Sequence, residues 1–264
     1  DQGHDVFIPE EPPLPCDDCN QCNSSSSPFI PASGAYIAHY TDISVPGPLA
    51  LEITRTYHSL DGHSGLLGHG WMFTYGAKLI EVTDGASRFV IIRRPDGQRD
   101  RFYENADGTY NNAPGVFDTL VKGSDTWHLV QKSGTVLTFD QPGNLLQIDF
   151  RTLHKVSLTY NSAGSLTSVS DDYGRSLQIT TGANGKISAI IDPAGRQTDY
   201  EYDANGYLIS VINPIGAITR YTYDDRGNLV TVKSPSGDTV ASVAYNSDGR
   251  VSSYTEEGVT YNMT

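Results

Sequence analysis

Glycines in the second half of this chain recur on two interleaved ladders. The first falls at 143, 164, 185, 206, 227 and 249, with intervals of 21, 21, 21, 21 and 22. The second falls at 174, 195, 216, 237 and 258, with every interval 21. A fixed period of this length marks a repeat architecture. Together the ladders place a glycine every ten or eleven residues, too often for helices of ordinary length and often enough for short strands joined by tight turns. One rung is missing: near 153 the second ladder has Leu153 and His154.

The residues around each rung explain the turns. The first ladder carries Phe139-Asp140-Gln141-Pro142-Gly143, Tyr160-Asn161-Ser162-Ala163-Gly164, Tyr202-Asp203-Ala204-Asn205-Gly206, Tyr223-Asp224-Asp225-Arg226-Gly227 and Tyr245-Asn246-Ser247-Asp248-Gly249, with Thr181-Gly182-Ala183-Asn184-Gly185 as a degenerate copy. The second carries Asp192-Pro193-Ala194-Gly195, Asn213-Pro214-Ile215-Gly216 and Ser234-Pro235-Ser236-Gly237. Asp and Asn accept hydrogen bonds from the backbone of the turn, Pro presets φ, and Gly takes the positive φ that other residues resist. About six or seven residues remain for each strand, which predicts a meander of antiparallel hairpins, about ten strands between Gly143 and Gly258. Alternation agrees. Thr198, Tyr200 and Tyr202 share one face while Gln197, Asp199 and Glu201 share the other. A twisted sheet of that many strands is expected to curl.

Upstream the pattern is also β, without the period. Leu49 to Tyr57, Trp71 to Val82, Phe89 to Ile92 and Trp127 to Val130 are apolar or β-branched runs, separated by turn dipeptides such as Asp84-Gly85, Asp96-Gly97 and Asp107-Gly108. The expected organisation is an extended arm at 1–31, an all-β head at 32–138 and a repeat sheet at 139–264. The arm is rich in proline, has a four-serine run at Ser24 to Ser27, and holds all three cysteines, Cys16, Cys19 and Cys22. One disulfide with a spare thiol or an inter-subunit bridge, three free thiols, and a metal site each fit that spacing; the second ligand pair of a zinc site does not follow. The arm is expected to run extended along β-sheet of another copy or along its own head.

Charge narrows the function classes. Eighteen basic against 31 acidic residues give a net charge of −13, which repels phosphate backbones and argues against nucleic-acid binding. No apolar run approaches the roughly 18 residues of a helical membrane span. The chain begins at Asp1, as a processed secreted protein or an excised fragment would.

A period of 21 with Tyr-Asp-x-x-Gly at its turn resembles the RHS-repeat, or YD-repeat, family. The head agrees: Pro46-Gly47-Pro48-Leu49 leads to Arg55-Thr56-Tyr57-His58-Ser59 and then to Gly65-Leu66-Leu67-Gly68-His69-Gly70-Trp71, similar to the domain that precedes the repeats in bacterial RHS proteins. The motif residues are therefore Arg55, Tyr57, Ser59, Gly65, Gly68, Gly70 and Trp71 in the head, and Tyr202, Asp203, Gly206, Tyr223, Asp224 and Gly227 in the repeats. The resemblance implies an all-β fold whose long members wind a sheet ribbon into a hollow shell around a C-terminal toxin. This sequence contains neither the family's self-cleaving core segment nor a toxin domain, so no autoprotease activity carries over.

Other constellations have plainer readings. His58, His63, His69 and Asp61 share a glycine-rich loop, but their spacing fits turn or surface roles better than a metal site. No Gly-x-Ser-x-Gly elbow occurs. Asp171-Asp172 and Asp224-Asp225 sit at turns, where capping accounts for them. Asp203-Ala204-Asn205-Gly206 imitates the start of a calcium loop without its later ligands. Trp71 is expected to be a core residue and Arg55 to pair with a nearby acid. No catalytic residue, cofactor or metal is expected. The leading expectation is a secreted, extracellular or cell-surface, non-enzymatic structural protein whose open sheet ends join copies into a fibre. An N-terminal fragment of an RHS shell is the alternative, with the rest of that shell as partner, and a carbohydrate-binding adhesion module is the third.

Overall fold

In the computed structural model the described residues are 29–30, 33–85, 87–256 and 258–263. They form strands and turns with no helix, and no helix is long and apolar enough to cross a membrane. The arm expectations, including those on Cys16, Cys19 and Cys22, fall on 1–28 and 31, outside the described residues, except at Phe29 and Ile30, which pair antiparallel with Tyr36 and Ala35 of the chain's own head.

The head holds three small sheets. β1 (Phe29–Ile30), β2 (Ala35–Val45), β3 (Leu51–His58) and β6 (Trp71–Phe73) pair in that order, and β4 (Ser64–Gly65) pairs with β5 (Gly68–His69) inside the glycine-rich loop. β7 (Lys78–Asp84), β8 (Ser87–Arg93), β9 (Arg99–Glu104) and β10 (Tyr110–Asn112) form a separate meander. The run from Trp71 to Val82 is thus two strands in two sheets. Gly76 breaks it by donating its N–H to the Phe73 carbonyl at 2.8 Å.

The remaining sheet is a continuous antiparallel meander of 15 strands with no pairing between its first and last, so it does not close into a barrel. It comprises β11 (Thr119–Lys122), β12 (Thr126–Val130), β13 (Val136–Asp140), β14 (Leu145–Asp149), β15 (Lys155–Tyr160), β16 (Leu166–Asp171), β17 (Ser176–Thr181), β18 (Ile187–Ile191), β19 (Gln197–Tyr202), β20 (Leu208–Ile212), β21 (Ile218–Tyr223), β22 (Leu229–Lys233), β23 (Thr239–Tyr245), β24 (Val251–Glu256) and β25 (Val259–Asn262). Eleven of these, β14 to β24, lie between Gly143 and Gly258, one more than the glycine ladders suggest. The difference is the missing rung. Leu153 adopts φ 66° and donates to the Phe150 carbonyl at 3.0 Å, completing the turn without glycine.

Both ladders make the same turn. In most turns of either ladder the Asp or Asn three residues before the glycine accepts two backbone N–H groups. Asp192 Oδ1 takes those of Ala194 and Arg196 at 2.9 Å each, and Asp203 Oδ1 takes those of Asn205 at 3.0 Å and Tyr207 at 2.8 Å. The glycine closes the turn with positive φ, 79° at Gly195 and 81° at Gly206. The strand pairing beside the turn differs between the ladders. All six first-ladder hairpins carry a register shift there, whereas of the six second-ladder hairpins, counting that at Leu153, only the one at Gly237 does. In a meander all first-ladder turns lie on one edge, so the extra residues accumulate there. Bulges bend a strand and raise its local twist, so the ribbon curls toward one hand.

One face of the ribbon is apolar. On β19, Thr198 and Tyr200 are buried while Gln197 and Glu201 are exposed. Head and ribbon share a single apolar core, from Tyr36, Ile53 and Trp71 in the head to Val169, Ile190, Tyr221 and Tyr254 in the ribbon.

Candidate functional site

The head motif and the repeat motif meet at one place. Arg55 on β3 is 1% exposed. Its guanidinium binds Asp42 through Nε–Oδ2 at 2.5 Å and Nη2–Oδ1 at 2.9 Å, and Nη2 also donates to the Tyr221 hydroxyl at 3.0 Å. Tyr200 closes the group by donating its hydroxyl to Asp42 at 2.9 Å. The guanidinium lies over the Trp71, Tyr40 and Tyr221 rings at 4.8, 5.4 and 5.4 Å from their centroids, where the ring faces attract a cation. Burial works to lower the Arg55 pKa, but Asp42 outweighs it and holds the group well above its ordinary value.

Asp42 is the residue sequence reasoning missed. The pairing of β2 with β3 shifts between Thr41 and Ile43, so Asp42 is the extra residue of a bulge. A bulge re-aims a side chain, and here it turns a carboxylate inward, with 6% of the side chain exposed. The available signal was an acid inside an apolar strand whose partner carries an arginine.

Trp71 and Tyr57 anchor the other side. Trp71 Nε1 donates to the Tyr223 hydroxyl at 2.9 Å, and its ring meets Tyr221 edge-on at 5.3 Å. The Tyr57 hydroxyl accepts the Leu229 N–H at 2.8 Å. Two other N–H groups just past first-ladder turns also find acceptors in the head: Ile187 donates to the Leu66 carbonyl at 2.8 Å and Val251 to the Gly34 carbonyl at 2.9 Å. The head is therefore keyed to the backbone of the bulged edge at a spacing set by the repeat.

The repeat tyrosines use their hydroxyls inside the sheet. Tyr160, Tyr202, Tyr223 and Tyr245 donate to the carbonyls of Leu145, Ile187, Leu208 and Leu229 at 2.9, 2.8, 2.8 and 2.9 Å. Each bond links one first-ladder turn to the start of the strand after the preceding turn on that edge. Phe139 has no hydroxyl for this bond, and Oγ1 of Thr181, in the degenerate copy, is buried without a hydrogen-bond partner. The tyrosine rows face the core rather than forming an exposed sugar platform. Burial raises the pKa of Tyr57, Tyr200, Tyr202, Tyr223 and Tyr245, and that of Tyr75 to about 12.

The remaining motif residues are structural where they stand. Ser59 Oγ accepts the Tyr36 N–H at 2.9 Å. Gly70 has φ 72°, and a Cβ there would lie 2.6 Å from the Tyr57 ring. Gly68 has φ 92°, with the Gly206 carbonyl 2.7 Å from where its Cβ would be. Gly65 pairs with Gly68 across β4 and β5. Gly227 has φ 84° and Tyr207 pressed against it, and the Asp224 side chain caps that turn. The leading Pro46-Gly47-Pro48 segment is held from the opposite edge, where Arg175 donates to the Pro46 carbonyl at 2.6 Å and binds Asp171.

The histidine loop does not converge on a metal geometry. Asp61 is 1% exposed and engages Arg99 at 2.6 Å and the His63 N–H at 3.1 Å, while His69 meets the Tyr207 ring edge-on at 5.7 Å. Burial works to raise the Asp61 pKa, but Arg93 and Arg99 hold it below the usual carboxylate value. Among the described residues no three His, Cys, Asp or Glu side chains come together as a metal cluster.

An all-β head locked by Arg55, Tyr57 and Trp71 onto Tyr-Asp-x-x-Gly hairpins defines a repeat protein with its leading domain in place. The RHS Repeat model matches residues 183–214 and 202–239, and a domain of unknown function, DUF6531, matches 26–102. The chain thus carries RHS repeats behind a DUF6531 segment, the order that its motifs resemble. It is 34% identical over 117 residues to the tRNA nuclease WapA of Bacillus subtilis strain 168, and 37% identical over 70 residues to the probable deoxyribonuclease RhsB of Dickeya dadantii. Those matches cover 44% and 26% of this chain but 5% of each relative. Among solved structures, the Photorhabdus luminescens Tc holotoxin pore is similar at 10% identity over 84% of this chain and 15% of that one, with a TM-score of 0.34. A porin-like protein from Bacteroides uniformis is similar at 13% identity over 71% of this chain and 93% of that one, with a TM-score of 0.33.

Proposed function

We propose that the chain is a non-enzymatic wall segment of an RHS-type shell, secreted or displayed at the cell surface, in which the head fixes the ribbon's curvature where the wall starts. The observation that carries this reading is the bulge at every first-ladder hairpin with the head keyed to that same edge. A ribbon bulged on one edge bends one way, and a rigid block clasped to its apolar face holds the bend. The β25 edge supports it too. Val259 is 52% and Tyr261 46% exposed, and among the described residues no strand pairs with the outer edge of β25, which leaves it able to take further sheet.

The nuclease activities in the relatives' names belong to proteins of which the matched segment is a small part. In this reading such chemistry lies outside the segment. The fibre of self-joining copies has no support from these relatives, and the shell is nearer to them. The test is electron microscopy of the protein together with whatever its gene encodes beyond Thr264. A closed hollow particle with a protease-protected interior is expected. Filaments, or particles with no enclosed volume, would replace this reading.

A further inference from the structure

The head touches the ribbon's first-ladder hairpin at Gly143 through a lysine, an asparagine and an aspartate. Lys78 opens β7 and forms an antiparallel bridge with Asn144, next to the Leu79 N–H bonded to the Gly143 carbonyl at 3.0 Å. Cross-strand neighbours of this kind bring side chains together. Lys78 Nζ lies 2.8 Å from Asn144 Oδ1 and 2.9 Å from the Pro142 carbonyl. Asn144 Nδ2 donates to Asp140 Oδ2 at 2.8 Å, so the amide is held on both sides. Their chain neighbours Leu79, Phe139 and Leu145 are buried at 2%, 0% and 1% exposure, which anchors the backbone on which the group stands. Burial lowers the Lys78 pKa, with Asp140 opposing, which favours the neutral amine.

We propose that Lys78 and Asn144 form an intramolecular isopeptide bond, with Asp140 relaying the proton. The neutral Nζ attacks Asn144 Cγ and the Nζ–Cγ bond forms. One Nζ proton passes through Asp140 to Nδ2, the Cγ–Nδ2 bond breaks, and ammonia leaves. The lysine amine and asparagine amide become a secondary amide plus ammonia, with no oxidant and no change in Asp140. Nζ, hydrogen-bonded to Oδ1, has only to swing over the amide plane to reach Cγ, and Nδ2, the leaving group, faces the carboxylate. Positioned groups of this kind react as if at very high concentration. The product would tie the head covalently to that turn of the ribbon, across 66 residues of chain. The proposal concerns this chain alone and stands or falls independently of the shell reading.

Intact mass spectrometry of the purified chain decides it. A mass about 17 Da below that of the sequence is expected, the loss of one ammonia. Trypsin should then give residues 56–88, uncut after Lys78, joined to 133–151. Lys78→Arg and Asp140→Asn should each restore the full mass, and circular dichroism would show whether they fold. Linear 56–78 and 133–151 peptides from the wild-type protein overturn the proposal. So does a 17 Da loss that maps to a succinimide at Asn184-Gly185 or Asn205-Gly206.

Discussion

The two edges of the ribbon start from the same turn and end in different surroundings. On the second-ladder edge, a Cβ added to Gly174, Gly195, Gly216 or Gly237 would meet nothing within 4 Å, so glycine is required there by φ alone. On the first-ladder edge, Gly164, Gly185 and Gly249 are equally open, but the same addition meets the Leu79 carbonyl at 2.0 Å from Gly143, Lys186 at 2.7 Å from Gly206 and Tyr207 at 2.6 Å from Gly227. That edge also carries the bulges, the tyrosine bonds and the backbone contacts to the head. A repeat can thus spend one sequence motif on two purposes: reversal with docking through backbone groups at several first-ladder turns, and mostly plain reversal on the other edge, where Arg175 beside Gly174 supplies a side-chain tie to the head.

The largest test of this contrast is alkaline titration, because the docked edge is rich in buried tyrosine. Burial raises the pKa of Tyr57, Tyr202, Tyr223 and Tyr245 in the folded chain. Their unfolded counterparts ionise near pH 10. Below that pH both states are protonated and the stability is fully present. Above it the unfolded state sheds protons that the folded state keeps, so each such tyrosine removes about 1.4 kcal/mol per pH unit until its folded pKa is reached. Urea unfolding between pH 8 and 11 should show a steep loss that begins near pH 10. A stability that stays flat to pH 11 would mean that the tyrosine hydroxyls are not enclosed as described.

Next in size is the clasp. Arg55→Leu would leave Asp42 buried without its cation, at a cost of about 3–5 kcal/mol, whereas replacing both charges with apolar side chains should recover much of that loss. Chemical denaturation of the single and double variants measures the coupling. Near-additive losses would show that Arg55 and Asp42 do not act as a pair.

The glycines compare the edges directly. Gly195→Ala should cost about 1–2 kcal/mol, the penalty of an L-residue in the left-handed region. Gly143→Ala carries the same penalty and also forces β7 away from the turn, adding about 1–3 kcal/mol of overpacking. Equal thermal shifts for the two variants would erase the distinction between a free and a docked turn.

Much of this fold could be read from local chemistry, since period, turn residues and strand alternation act within ten residues of each other. Gly206 and Gly227 show the positive φ that their turns demand. The features that escaped such reading are long-range or self-concealing. Arg55 finds Tyr221 across 166 residues and Trp71 finds Tyr223 across 152, separations at which no periodicity in the sequence links the partners. The bulges hide because they leave the glycine spacing nearly regular. Asp42 hides because strand alternation places it by parity, and a bulge breaks parity. The run from Trp71 to Val82 reads as one strand because nothing in its apolar pattern reveals that its halves join different sheets.

The smallest expected effect has the opposite sign and lies at the irregular rung. Leu153 holds φ 66° with 94% of its surface exposed, so it contributes little packing to offset a left-handed backbone. Its turn also lacks the cap. Phe150 stands where Asp192 or Asn213 would accept two N–H groups, although its own N–H still donates to the His154 carbonyl at 2.8 Å. Leu153→Gly removes the steric penalty of about 1–2 kcal/mol and returns part of it through the greater freedom of glycine in the unfolded chain. The net expectation is a gain of about 1 kcal/mol, seen as a rise in the urea midpoint with an unchanged slope. The same change at an ordinary exposed strand position should destabilise, which makes Val240→Gly, at a site 39% exposed on β23, the matched control. If Leu153→Gly destabilises as the control does, this turn is held by contacts of its own rather than by the repeat's geometry.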